Sequence, residues 1–118
     1  MLTSAFGSVI AVLIALVVST QLASAADASV IAEGKKIAFD KTKGNCLACH
    51  AIEGGELPGN IGPPLVEMKA RFPDKAKLHA QIWDSTSNNP NSMMPPFGRH
   101  EIMTDSEIEK VVEFIYSL

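Results

Sequence analysis

Two cysteines and a histidine form the densest group of reactive side chains in the sequence. Cys46 and Cys49 are the only cysteines among the 118 residues, two residues separate them, and His50 follows directly. This spacing is typical of c-type haem attachment, in which each thiol adds to one vinyl group of the haem to form a thioether. The histidine then lies under the ring and binds the iron as proximal ligand. The motif predicts one covalently attached haem, held by Cys46 and Cys49, with His50 on the iron.

Three other kinds of site use closely spaced cysteines. A thioredoxin-like redox pair would follow a strand in a βαβ unit, and no such pattern surrounds this pair. A structural zinc site needs four ligands, so the motif would have to recruit a distant histidine, His79 or His100. A simple disulfide would give His50 no role. The haem interpretation is favoured because it gives His50 a role and, unlike a zinc site, requires no distant histidine.

Two methionines lie in a proline-rich segment later in the chain, Met93 to Gly98, which has neither helical nor strand periodicity. Such a segment suits a thioether that has to reach the iron from the face opposite His50. Methionine and histidine together fill both axial positions and raise the haem potential. We expect Met94 to be the distal ligand because it adjoins a rigid pair of prolines. Met93 and His100 are the alternatives.

The segment from Glu53 to Pro64 contains four glycines and three prolines, which predicts a loop. A neutral proximal histidine needs an acceptor for the ring N–H that does not face the iron. Prolines fix the backbone, so a carbonyl next to them stays aimed at one target. A backbone carbonyl near Pro63 is therefore our candidate for the partner of His50.

The first 25 residues predict a cleavable export signal. Ala5 to Val18 is apolar, and Ala23-Ser24-Ala25 has small residues at the alternating positions that a signal peptidase reads. No Lys or Arg precedes the apolar run, so the amino terminus supplies the positive charge or the true start lies upstream of Met1. We predict a signal peptide over 1–25, one domain over 26–118 and a periplasmic location. An uncleaved membrane anchor is the alternative, although the run is short of the roughly 20 residues that a span needs.

The composition after this signal indicates one small domain with an acidic balance. The formal net charge is −3, and every charged residue follows the predicted cleavage site. This balance argues against nucleic acid as a partner and against stable membrane association. A domain of this size has a marginal hydrophobic core, which a bound haem would enlarge.

Helical periodicity recurs along the rest of the chain, and no stretch has a convincing strand pattern. The predicted helices are Val30 to Asp40 with Asp27 or Ser29 as cap, Leu65 to Phe72, a helix capped by Asp74 that runs to about Asp84, and a terminal helix after a capping box of Thr104 and Glu107. Gly34 inside the first helix indicates that another helix crosses it closely. Trp83 is interpreted as part of the core. The chain is predicted to be all-α.

The motif, the glycine in the first helix, the Gly-Pro-Pro-Leu loop, the late Met-Pro and the terminal helix together resemble a class I cytochrome c. The resemblance implies an all-α fold of about four to five short helices around one covalently attached haem c, in which the terminal helices cross at right angles. Gly34 would then face Val111 and Phe114. The resemblance also implies Pro63 as the carbonyl partner of His50 and Arg71 as a propionate contact.

A narrower resemblance covers nearly the whole chain after the predicted signal. Three segments, Gly44 to His50, Glu56 to Leu65 and Met94 to His100, are similar to the SoxX family, the small monohaem subunit of the SoxAX complex of periplasmic sulfur oxidation. The Leu-Pro-Gly-Asn and Pro-Pro-Phe-Gly stretches are the discriminating ones. The resemblance implies a heterodimer with a SoxA-type cytochrome subunit. That complex joins thiosulfate to a cysteine of the carrier SoxYZ, and the electrons released pass through haem to a small acceptor cytochrome c.

The sequence limits which part of that chemistry this chain can perform. Oxidative formation of an S–S bond needs a thiolate, and no third cysteine is present once Cys46 and Cys49 are thioethers. An iron with both axial positions filled offers no substrate site. We therefore expect a non-catalytic electron-transfer subunit of an enzyme complex. Segments 56–65 and 95–100 either form the surface of this subunit that faces its partner or only wall the haem pocket. The alternatives are a free-standing soluble periplasmic electron carrier, a purely structural subunit, and a haem peroxidase or gas sensor with an open iron.

Overall fold

Four α-helices and two short 3₁₀ turns make up the regular structure of residues 27–118. The computed structural model describes residues 27–118, so the predicted signal peptide over 1–25 lies outside the described residues. In chain order the helices are α1 (27–39), α2 (Met68–Arg71), α3 (Lys75–Trp83) and α4 (Asp105–Tyr116), with 3₁₀ turns at Cys46–Ala48 and Ser85–Ser87. No strand occurs between residues 27 and 118, and the prediction of an all-α fold is confirmed.

Two of the predicted helix boundaries are wrong. Asp27 and Ser29 do not cap the first helix, because both are already helical and the alanines beside them favour that conformation. The second helix is shorter than Leu65 to Phe72. Phe72 lies outside the helix because a residue before a proline avoids the helical region. At the other end, Leu65 donates its N–H to the Ala51 carbonyl at 2.9 Å instead of starting a helix. Glu67 then adopts a left-handed φ of 51°, so α2 begins only at Met68.

Helices α1 and α4 pack directly against each other at Gly34, as its position within a helix indicated. A Cβ atom on Gly34 would lie 1.9 Å from the Lys110 carbonyl oxygen and 3.0 Å from Cβ of Phe114, so only glycine allows this approach. The Phe39 and Phe114 rings meet edge to face beside the crossing, 5.9 Å between centroids. The nearest α4 atoms belong to Lys110 and Phe114, whereas the predicted neighbour Val111 contributes to the core.

The beginning of α4 is held by the predicted capping box and by an ion pair. Thr104 Oγ1 accepts from the Glu107 N–H at 3.2 Å, and Glu107 Oε2 accepts from the Thr104 N–H at 2.9 Å. Lys43 Nζ lies 3.0 Å from Glu107 Oε1, which connects α4 to the turn just before the cysteine motif. One carboxylate therefore caps the helix and contacts the segment that leads into the motif.

The core lies between α4, α3 and the loops, and its largest part comes from one face of α4. The buried apolar residues of that helix are Ile108, Val111, Val112, Phe114 and Ile115. Helix α3 contributes Leu78 and Ile82, and Asp74 caps it by accepting from the Ala76 N–H at 3.0 Å, as predicted. No helix in the described part of the chain is long and apolar enough to span a bilayer.

Trp83 is not a core residue, contrary to the sequence interpretation. Its side chain is 37% exposed, and it is the last residue of α3. The indole ring lies against Gly98, where an added Cβ would come within 2.0 Å of Cδ1. The ring therefore covers a loop at the surface.

We expect Gly34→Ala to destabilise the haem-loaded protein by about 2 kcal/mol, because overpacking a tight contact costs roughly 1–3 kcal/mol and the clash is with backbone. The measurement is the free energy of unfolding in denaturant. Ala32→Val adds bulk to the exposed face of the same helix and serves as control. Equal effects of the two substitutions would contradict the close crossing.

The Glu107 carboxylate predicts an acid-dependent contribution to stability. The hydrogen bond from the Thr104 N–H, followed by that from Lys43, holds the pKa of Glu107 below its ordinary value of 4.5. A group whose pKa is lowered by folding stabilises the protein at pH values above its ordinary, unfolded-state pKa. This contribution is lost as the pH falls through the folded-state pKa.

Glu107→Gln keeps a capping acceptor but removes the charge. We expect the variant to be less stable than wild type at pH 7, with the difference shrinking as the pH falls below 4.5. Denaturant unfolding at a series of pH values measures this. Glu109→Gln, on the exposed side of α4, should show a smaller and flatter difference. A constant difference for Glu107→Gln across the acid range would argue against the charge interaction.

Candidate functional site

A cavity of about 760 Å³ opens between the cysteine motif and the methionine segment. Its volume is in the range of sites that bind cofactors. All six residues that the sequence placed in the site line it, namely Cys46, Cys49, His50, Pro63, Arg71 and Met94. Apolar side chains of α3 and α4, among them Ile82 and Val111, form the rest of the inner wall. The fold thus brings the predicted residues, which are far apart in sequence, to a single site.

The cysteine motif forms a tight turn that presents both sulfurs to this cavity. Asn45 adopts a left-handed φ of 47° and starts the 3₁₀ turn Cys46–Ala48. The N–H groups of Cys49 and His50 both donate to the Cys46 carbonyl, at 3.2 and 2.9 Å. Burial raises the pKa of the Cys46 thiol to about 11, so the unattached side chain is a neutral thiol facing an apolar space. The turn thus places both cysteines at the wall of one cavity, as attachment to a single haem requires.

His50 is oriented by the proline-rich loop. Its Nδ1 lies 2.7 Å from the Pro63 carbonyl oxygen, where the sequence analysis expected an acceptor. Because a carbonyl can only accept, Nδ1 carries the proton, and the lone pair of the neutral ring is left on Nε2. An added Cβ on Gly62 would lie 2.3 Å from Cε1 of the ring, so the loop backbone packs flat against the imidazole. These contacts give His50 the tautomer and orientation that a proximal ligand needs.

The three candidates for the opposite face of the iron differ in position. Met94 is half-buried, packs against the core and borders the cavity. Met93 also reaches the cavity edge, but its side chain is 76% exposed. His100 is exposed and is not among the cavity residues. The geometry therefore favours Met94 as the inward-facing thioether.

The charged residues of the cavity wall are all basic. Lys41, Lys43 and Arg71 border the cavity, and no acidic residue of the described chain does so. Arg71 donates through Nη1 to the Pro64 carbonyl at 2.8 Å. A guanidinium has five N–H groups, so this contact leaves others for an anion. A wall that is apolar inside and basic at its margin fits a macrocycle with carboxylate side chains.

Two residues of the site were not found from the sequence. Gly62 was included in the loop, but the packing of its backbone on the His50 ring depends on a contact across the fold. Ser85 is fully buried and donates through Oγ to the Met94 carbonyl at 2.8 Å. A serine just after a helix has no sequence signal that distinguishes it from an exposed turn residue.

Comparison with known proteins agrees with this geometry. Residues 31–118 match the cytochrome c family. A stretch of 75 residues is 35% identical to an uncharacterized lipoprotein of Aquifex aeolicus (strain VF5), and it covers 63% of this chain and 36% of that protein. The matched region therefore spans about a third of the length of that relative.

Members of this family hold their haem covalently through a pair of cysteines, and bound haem supplies a reversible one-electron change at its iron. Cys46, Cys49 and His50 fit that attachment motif and line a cavity of suitable size. The chain belongs to the cytochrome c family and is an electron-carrying protein with one covalently bound haem c.

Proposed function

We propose that this cytochrome is the monohaem electron-transfer subunit of a SoxAX complex in periplasmic thiosulfate oxidation. The observation that carries the proposal is that both segments discriminating the SoxX family, Leu57–Asn60 and Pro95–Gly98, belong to loops that border the haem cavity. Pro95 and Phe97 line the cavity themselves, and Leu57–Asn60 directly precedes Ile61, Gly62 and Pro63, which also line it. Family-specific segments next to a cofactor site are suited to a specific partner. The complex has a SoxA-type cytochrome as its second subunit.

Sulfur chemistry indicates which subunit of the complex forms the S–S bond. Joining thiosulfate to the SoxYZ cysteine forms one S–S bond from a thiolate and a thiosulfate anion and releases two electrons. This chain has two cysteines, and both are consumed by haem attachment. The bond therefore forms on the SoxA-type subunit. A haem held by Cys46, Cys49 and His50 would supply a one-electron acceptor, through which this subunit would relay the electrons to a small acceptor cytochrome c.

We infer that His50 and Met94 are the axial ligands of the iron. Support comes from the hydrogen bond that orients the His50 ring and from the half-buried Met94, since both residues line the cavity. Two protein ligands leave no coordination position for peroxide or a gas. A closed iron is the arrangement expected for an electron relay.

An apolar rim beside the cavity is our candidate for the partner surface. It consists of Ile61 and Met93, which border the cavity and are 63% and 76% exposed, and of Leu57, which lies in the same loop as Ile61 and is 98% exposed. Exposed apolar groups at the edge of a cofactor site favour a protein partner that excludes water from the contact. The predicted second segment, 95–100, contributes less than expected because Pro96 and Phe97 are buried. The SoxA-type subunit is proposed to cover this rim.

The ligation proposal predicts the spectrum of two adjacent variants. Met94→Ala should abolish the ferric Fe–S(Met) charge-transfer band, and Met93→Ala, which removes the exposed neighbour, should retain it. We also expect Met94→Ala to lower thiosulfate-dependent activity of the complex because the haem potential falls. Survival of the band in Met94→Ala would identify another ligand, and unchanged activity would indicate a purely structural haem.

The partner proposal predicts that a charge on the rim weakens the complex. Leu57→Asp should reduce the affinity for the SoxA-type subunit by about tenfold, since an unpaired charge would be desolvated at the contact. Ala32→Asp places the same charge on the exposed face of α1 and should have no effect. Affinity is measured between purified haem-loaded subunits. A wild-type protein that purifies from its own cells as a monomer, without a SoxA-type partner, would instead support a free-standing electron carrier.

A further inference from the structure

The turn after α3 is held by a buried carboxylate. Asp84 Oδ1 accepts from the Thr86 N–H at 3.0 Å, and Oδ2 accepts from the Ser87 hydroxyl at 3.2 Å. Arg99 Nε lies 3.1 Å from the same Oδ2. The carboxylate therefore fixes the 3₁₀ turn Ser85–Ser87 and connects it to the end of the methionine segment.

Both main-chain polar atoms of Met94 are bound to serine hydroxyls. Its carbonyl accepts from Ser85 Oγ at 2.8 Å, and its N–H donates to Ser92 Oγ at 3.2 Å. Ser85 is fully buried, so water cannot replace this donor if it is removed. The peptide units on either side of the Met94 side chain are thus fixed relative to the turn.

The far end of the segment is fixed to the same place. The N–H groups of Gly98 and Arg99 donate to the Trp83 carbonyl at 3.0 and 3.3 Å. The Pro95-Pro96 pair between them and Met94 has no N–H groups and restricts φ. Residues 94–99 are therefore hydrogen-bonded at both ends to residues 83–85.

We propose that Ser85 is a positioning residue for Met94. The buried Ser85 hydroxyl keeps the Met94 thioether directed at the iron. The inference rests on the proposed ligation by Met94. Without the hydroxyl the partly buried Met94 carbonyl loses its side-chain donor, which carries a free-energy cost. Part of that cost is relieved when the segment moves away from the turn. Ser85 thereby sets how often the sixth coordination position of the iron is open.

An external ligand measures this opening. Imidazole binds ferric haem only when the thioether has left. Its apparent dissociation constant is therefore inversely proportional to the population in which the sixth position is open. We expect Ser85→Ala to bind imidazole about tenfold more tightly than wild type, from the loss of one buried hydrogen bond. The midpoint potential should also fall, since methionine ligation raises it.

Matched variants separate positioning from general loss of stability. Ser87→Ala makes the same substitution in the same turn, removes a bond to Asp84 that does not involve Met94, and should leave imidazole affinity unchanged. Ser85→Thr keeps the donor and should restore the wild-type value. Ser92→Ala removes the hydroxyl at the other side of Met94 and should increase affinity by a smaller factor. It provides the same test if Ser85→Ala yields no haem-loaded protein.

The outcomes distinguish this inference from the ligation on which it rests. Met94→Ala should bind imidazole more tightly than every serine variant, and failure of that result would overturn the ligation itself. If Met94→Ala binds tightly but Ser85→Ala and Ser92→Ala match wild type, the positioning role is wrong while ligation stands. Equal increases in Ser85→Ala and Ser87→Ala would show a loss of stability only.

Discussion

A cavity of about 760 Å³ in so small a domain is the constraint on which the rest of the structure depends. Its inner wall is made of the apolar residues that would otherwise complete the core, such as Ile82 from α3 and Val111 from α4. The haem is therefore a part of the core, and α3, α4 and both loops are arranged around its volume.

The covalent motif and the features governed by local rules could be predicted from the sequence. The spacing of Cys46, Cys49 and His50 is fixed by the bonds that these residues make, so it can be read without knowing the fold. The cap of Asp74 and the box of Thr104 and Glu107 depend on three or four consecutive residues. Gly34 indicated a close crossing because a glycine is costly inside a helix without a packing reason.

What could not be predicted depends on contacts between distant segments. Helix α2 is short because Leu65 bonds to Ala51 across the loop, which outweighs its local helical pattern. Trp83 is a large apolar residue of a type often found in cores, but its ring covers Gly98 at the surface. Ser85 matters for Met94 only because the turn and the methionine segment meet in the fold. None of these contacts can be predicted from a short stretch of neighbouring residues.

The crossing at Gly34 and the haem motif differ in how much of the chain must be ordered before each can form. It joins residue 34 to residue 110, whereas the haem motif occupies five neighbouring positions. Closing a long loop has a high entropic cost and is slow, whereas a five-residue motif can be recognised in an unfolded chain. Covalent attachment of the haem therefore needs only local order in the chain, whereas the packing of α1 on α4 needs the chain between residues 34 and 110 to close.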